Sequence, residues 1–154
     1  MRVILISGAP NTGKSEVSKK LYELLKNKGF NEIEKDPNGY ANKDYIVIFE
    51  GKDKNGNLVR ILLNYAADND DIINTFLDWL KNKEPFDIVI TVMRTKGNLY
   101  DRVKNAFNNS DIILTLPLKR ITAQNYQLNE AIEYYQDGIV CTAEKYLQDA
   151  FSLF

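Results

Sequence analysis

A chain of 154 residues with 44% hydrophobic content carries enough apolar material for one packed core, and its formal net charge of −1 gives no overall field to draw it to nucleic acid or a membrane surface. It has no histidine, which removes the commonest general base and metal ligand; its single cysteine, Cys141, excludes an internal disulfide and a cysteine-built zinc site. No apolar run reaches membrane-spanning length and the chain opens on a strand rather than a signal segment, so the expectation is a single cytoplasmic domain over 1–154.

The first predicted element is a strand, Met1-Arg2-Val3-Ile4-Leu5-Ile6-Ser7, rich in β-branched residues. A turn follows, Gly8-Ala9-Pro10-Asn11-Thr12-Gly13-Lys14-Ser15. Beyond it Val17, Leu21, Leu24, Leu25 and Lys28 share one face of a helix, Lys28 covering the stripe with its aliphatic stem. Gly29 is expected to close that helix in a left-handed conformation, with Phe30 folding back on its end. Asn31 to Lys43 is polar and contains Asp36-Pro37-Asn38-Gly39. It predicts a long connection, either plain surface or a functional loop.

Residues 45–50 (YIVIFE) and Leu58–Asn64 (LVRILLN) read as strands joined by a hairpin with an Asn55-Gly56 step. Ile72, Ile73, Phe76, Leu77 and Leu80 mark a helix from Asp70 to Lys81, leading to a buried-type strand, Phe86 to Met93. A right-handed crossover makes the 58–64 and 86–93 strands parallel, so the 45–50 strand runs antiparallel at or near an edge. Leu99, Val103, Ala106 and Phe107 mark the next helix, stopped by Asn108-Asn109-Ser110. Asp111 to Leu116 is the last strand, closed by Pro117. From about Thr122 to Phe151 the spacing of Ile132, Tyr135, Ile139, Ala143, Tyr146, Leu147 and Ala150 is helical, with Gly138 expected to kink or break it and Cys141 in a buried apolar role.

The stretch GAPNTGKS satisfies G-x-x-x-x-G-K-[ST] in full, with a strand before it and a helix after it. Gly8 and Gly13 permit backbone bends a Cβ would forbid, so that successive N–H groups can face one anion, and the helix start adds its own unpaired N–H groups and positive dipole end. This stretch resembles the Walker A motif of the P-loop nucleoside triphosphate hydrolase superfamily; the short strand–helix alternation around it is closest in style to the small nucleotide and small-molecule kinases. The resemblance implies ATP or GTP bound with Mg²⁺: Gly8, Ala9, Pro10, Asn11, Thr12, Gly13, Lys14 and Ser15 around the phosphates, Lys14 reaching the β- and γ-phosphates, and the Ser15 hydroxyl on the metal. It implies an α/β three-layer fold: a mostly parallel sheet of about five strands with one antiparallel hairpin strand (45–50), helices on both faces and a helical C-terminal tail.

In an open parallel sheet ligands sit at the carboxyl ends of the strands. Glu50 imitates a strand-terminal acid, but an antiparallel 45–50 strand puts it at the opposite end; were that strand parallel, Glu50 would be the best acid present. Asp68 and Asp70 follow the 58–64 strand and are the candidates for holding Mg²⁺ through its water shell. The other reading of this segment is helix capping, by Asn69 or Asp70 with Asp71. No parallel strand ends directly in Asp or Glu, a departure from the superfamily pattern. Arg94, Thr95 and Lys96 follow the 86–93 strand, where a cation can meet phosphate oxygens, or where the loop is simply solvated. Lys119 and Arg120 follow the last strand. In small kinases of the superfamily that region supplies cations over the phosphates or a surface against the adenine, and Tyr126 lies close behind.

No D-x-x-G directly follows a predicted parallel strand and no N-K-x-D ends a strand, which argues against a GTPase. The functional expectation is an ATP-dependent phosphotransferase in which Lys14, Arg94 and Asp68 do the catalytic work on a small-molecule acceptor. The alternative is a nucleotide-binding switch acting on a protein partner through the 31–43 segment or the tail helix, favoured by the weak acid pattern and the lack of an arginine-rich lid. A third is a loop that binds only an anion.

Overall fold

The computed structural model describes residues 1–36, 46–65, 69–83, 85–121 and 128–154. Its sheet is built on β1 (Arg2–Gly8), in which Val3, Ile4 and Ile6 are fully buried. A strand apolar on both faces needs a neighbour on each side and a layer above and below. β5 (Ile88–Met93) and β6 (Ile112–Leu118) flank β1, both parallel to it. β4 (Leu58–Asn64) pairs parallel with β5, β3 (Ile46–Lys52) antiparallel with β4, and β2 (Asn31–Lys35) antiparallel with β3. The order is β2-β3-β4-β5-β1-β6, and β3 alone among these strands runs against the rest.

The chain moves one way along the sheet through α2 (Asp70–Asn82) and α3 (Asn98–Asn105), and the other way through α1 (Lys14–Asn27). Right-handed crossovers therefore put α2 and α3 on one face and α1 on the other. The last helix, α4 (Leu128–Phe151), packs beside α1, and α2 packs beside α3. Val17, Leu21 and Leu25 of α1 and Ile73, Phe76 and Leu80 of α2 fill the two interlayer spaces.

The parallel pairing of 58–64 with 86–93 and the reversed 46–52 strand match the expectation. The strand count does not: there are six strands among the described residues, because 31–35 pairs with β3. This segment, Asn-Glu-Ile-Glu-Lys, offers one apolar residue, and Ile33 is 47% exposed, so a polar edge strand leaves no buried alternation to read. β2 also makes β3 the second strand from the edge. Pro117 does not close β6 but lies inside it; β6 is an edge strand, where a missing N–H is tolerated. Gly138 leaves α4 unbroken. Cys141 is exposed rather than buried, because the inward stripe of α4 runs through Gln136, Ala143 and Leu147.

The C-terminus of α1 closes as the sequence suggests. Gly29 has φ 85°, its N–H donates to the Lys26 carbonyl at 3.1 Å, and the Phe30 N–H reaches the Leu25 carbonyl at 3.0 Å. This is the left-handed double-bonded helix end, and Phe30 is buried behind it.

Candidate functional site

The loop after β1 is tightly wound. A Cβ on Gly8 would collide with the Thr12 hydroxyl and press on the Leu118 carbonyl, so only glycine lets the loop fold this closely over β6. The Thr12 hydroxyl donates to the Ala9 carbonyl at 2.8 Å. Asn11 (φ 60°) and Gly13 (φ 87°) are both left-handed, and Gly13 begins α1 without any side-chain cap. A left-handed turn leading into an uncapped helix start is an anion-binding arrangement. Lys14 is 5% exposed, its Nζ donating to the carbonyls of Gly8 (3.0 Å) and Ala9 (2.7 Å), so the amine lies inside the loop. Ser15 follows, half-buried.

Strand register places the flanking cations. Ser7 lies opposite Met93 and Gly8 opposite Leu118, so Arg94 and Lys119 leave their strands on either side of the loop. Thr95 and Lys96 are exposed beyond Arg94. Beside the loop lies a cavity of about 300 Å³, walled by Asn11 to Gly13, by Lys119, Arg120 and Ile121, and by Leu128, Ile132, Tyr135 and Gln136 of α4. Tyr135 fastens α4 to the end of β6: its hydroxyl donates to the Pro117 carbonyl at 3.0 Å and accepts from the Lys119 N–H at 3.3 Å. Lys20 of α1 bonds Asp137 at 2.6 Å, and Lys28 pairs with Glu144 at 3.0 Å. The hydrogen bond to Asp137 holds the Lys20 amine above its ordinary pKa.

The acidic side looks different. Asp68 and Tyr126 lie outside the described residues. Asn69 caps α2, its Oδ1 accepting from the Asp71 N–H at 2.8 Å, and Asp70 pairs with Arg102 of α3 at 2.8 Å. β5, the strand beside β1, ends in buried Met93 and then Arg94, with no carboxylate. β2 leads into Asp36, so against expectation a D-x-x-G, Asp36-Pro37-Asn38-Gly39 in the sequence, does follow a strand parallel to β1, but Asp36 is four strands from β1, roughly 19 Å at the usual interstrand spacing. Glu50 faces Arg60 (3.4 Å to Nε) toward the amino ends of the parallel strands, away from the loop, as its reversed direction requires. Among the described residues no group of three or more His, Cys, Asp or Glu is placed to hold a metal.

Gln136 escaped the reading of the sequence. It is 8% exposed, and its Nε2 lies 2.5 Å from where a Cβ on Gly13 would be. The signal was present: Gln136 falls four residues after Ile132 and seven before Ala143, a polar residue on the apolar stripe of α4.

A parallel sheet whose inner strand β1 ends in a left-handed loop and an uncapped helix, with a buried lysine in the loop, defines a P-loop nucleotide-binding domain. The chain belongs to the AAA domain family, whose model matches residues 4–127, from β1 through β6 and up to the start of α4. No curated protein and no solved structure matches it. Among the described residues no helix is long and apolar enough to cross a membrane.

Proposed function

We propose that the chain binds ATP with Mg²⁺ at the 8–15 loop and works as a small kinase-like phosphotransferase. The observation that carries this reading is the buried Lys14 amine inside a loop whose helix start has no side-chain cap. Lys14 exchanges its bonds to the Gly8 and Ala9 carbonyls for β- and γ-phosphate oxygens. Arg94, entering from β5, neutralises the phosphoryl group in transit, and Lys119 and Arg120 steady the phosphates from the β6 side. Ile121, Leu128 and Ile132 give the neighbouring cavity an apolar wall for the base.

A hydroxyl at the helix start together with phosphate oxygens is the hard oxygen set that Mg²⁺ accepts while keeping most of its waters, so Ser15 fits the metal. Asp68 is the further candidate toward its water shell; Asp70 reaches it only by leaving Arg102. When bound, the ion supplies charge neutralisation on the β- and γ-oxygens.

The second reading, a nucleotide-binding switch with slow hydrolysis and a protein partner, is favoured by the absence of a carboxylate at the end of β5. Turnover separates the two. ADP formation that depends on an added small-molecule acceptor supports the kinase, and slow acceptor-independent hydrolysis with tight binding supports the switch. Both require thermal stabilisation by a Mg-nucleotide, about 2.7 kcal/mol at a hundred times Kd. Stabilisation by phosphate or sulfate alone leaves only the anion-binding loop.

A further inference from the structure

We propose that Gln136 of α4 is a phosphate ligand of this site, its Nε2 donating a hydrogen bond to the polyphosphate held at Gly13 to Ser15. The inference rests on the nucleotide reading and adds to it a residue from outside the family match, which stops at 127.

Gln136 as a residue is nine-tenths buried, yet its carboxamide, with two donors and an acceptor, has no hydrogen-bond partner among the described residues. Its polar atoms are not sealed off, since among the described residues the buried side-chain atom without a partner is Arg60 Nε, so the amide faces open space where water or a ligand satisfies it. That space is the cavity against the loop, which Gln136 lines together with Asn11, Thr12 and Gly13. Its nitrogen abuts Gly13, the residue that begins α1, and the lack of a Cβ there makes room for it. An anion at a helix start meets the N–H end of the amide with a charge-assisted bond. The residues on either side fix its position: Tyr135 is bonded to the end of β6 and Asp137 to Lys20 of α1. Gln136 is thus presented to the loop by a helix anchored on two sides.

The test is calorimetric titration of the whole chain with Mg-ATP and, separately, with inorganic tripolyphosphate. Gln136→Leu keeps the side-chain volume and removes the donor; Gln136→Ala guards against a packing artefact. Both are expected to weaken ATP and tripolyphosphate alike by about tenfold, equivalent to about 1.4 kcal/mol. Gln136→Glu is expected to weaken them further, because a carboxylate faces the phosphates. Unchanged affinity in both neutral variants overturns the proposal, even if their melting temperatures fall. So does a loss confined to ATP, which would place the amide on the ribose or base. A wild-type chain that binds neither probe brings down the nucleotide reading itself, and this contact with it.

Discussion

Two helices start at the carboxyl ends of neighbouring parts of the sheet and treat their N-termini in opposite ways. α2 is closed by its own sequence: Asn69 caps it, Asp70 and Asp71 answer its dipole, and Asp70 is tied to Arg102. α1 is left open: Gly13 supplies no cap, and the group folded into the loop is a cation, Lys14. Each helix start has orphan N–H groups and a partial positive charge. α2 spends a cap and two acids on them and its end is structural; α1 has no cap and only Glu16, paired with Lys19, in its first turn, and on the proposed reading that end takes an outside anion.

The comparison can be broken at several points. The largest effect is expected at Gly13→Ala, which forces a side chain into a left-handed conformation and into the Gln136 amide. A loss of about 2–5 kcal/mol in urea unfolding is expected, combining the backbone and overpacking costs. Gly29→Ala has a similar φ but open space around it, so it should lose only about 1–2 kcal/mol. Equal losses at the two glycines would show that Gln136 does not crowd the loop. Lys14→Ala comes next: it should leave the fold intact and remove about 2–3 kcal/mol of nucleotide binding, read as the disappearance of the nucleotide-induced melting shift. Asn69→Ala should cost about 1 kcal/mol of stability with nucleotide affinity unchanged, since its cap serves α2 alone. Asp70→Asn is the smallest, within about 1 kcal/mol as an exposed pair. Should it abolish the Mg²⁺ dependence of nucleotide binding, the α2 end would share the site and the contrast between the helices would fail.

The open helix was legible because its signal is local. Gly8, Gly13, Lys14 and Ser15 sit at fixed spacings, and the two glycines answer steric demands that the structure displays. Strand direction was also legible, since a helix between two strands fixes the hand of the crossover; this sent Glu50 to the far end of the sheet. What escaped depends on partners distant in sequence. β2 is a strand because β3 offers it an edge, and its own residues give little sign of it. Gln136 sits on the apolar stripe of α4, but what it meets, Gly13 more than a hundred residues earlier, shows only when α4 is laid against α1. Pro117 looked like a strand end because position in the sheet, which decides whether a missing N–H matters, is not written locally.

The foot of α4 has a mechanical meaning. At 1.5 Å per residue its 24 residues form a rod of about 36 Å. The far end is clamped: the Arg2 guanidinium grips the Ala150 carbonyl, the Leu153 N–H reaches Leu147, and the Lys54 N–H meets the Ser152 carbonyl at 2.8 Å. The near half is pinned too, at Tyr135 and Asp137, so what overhangs is the start of the rod, from Leu128 to Ile132, which is a wall of the cavity. Amide exchange should be fast over that overhang and slow from Tyr135 to the clamp, and Tyr135→Phe, which removes the pin but keeps the ring, should quicken exchange at the tip more than loosening the grip of Arg2 does.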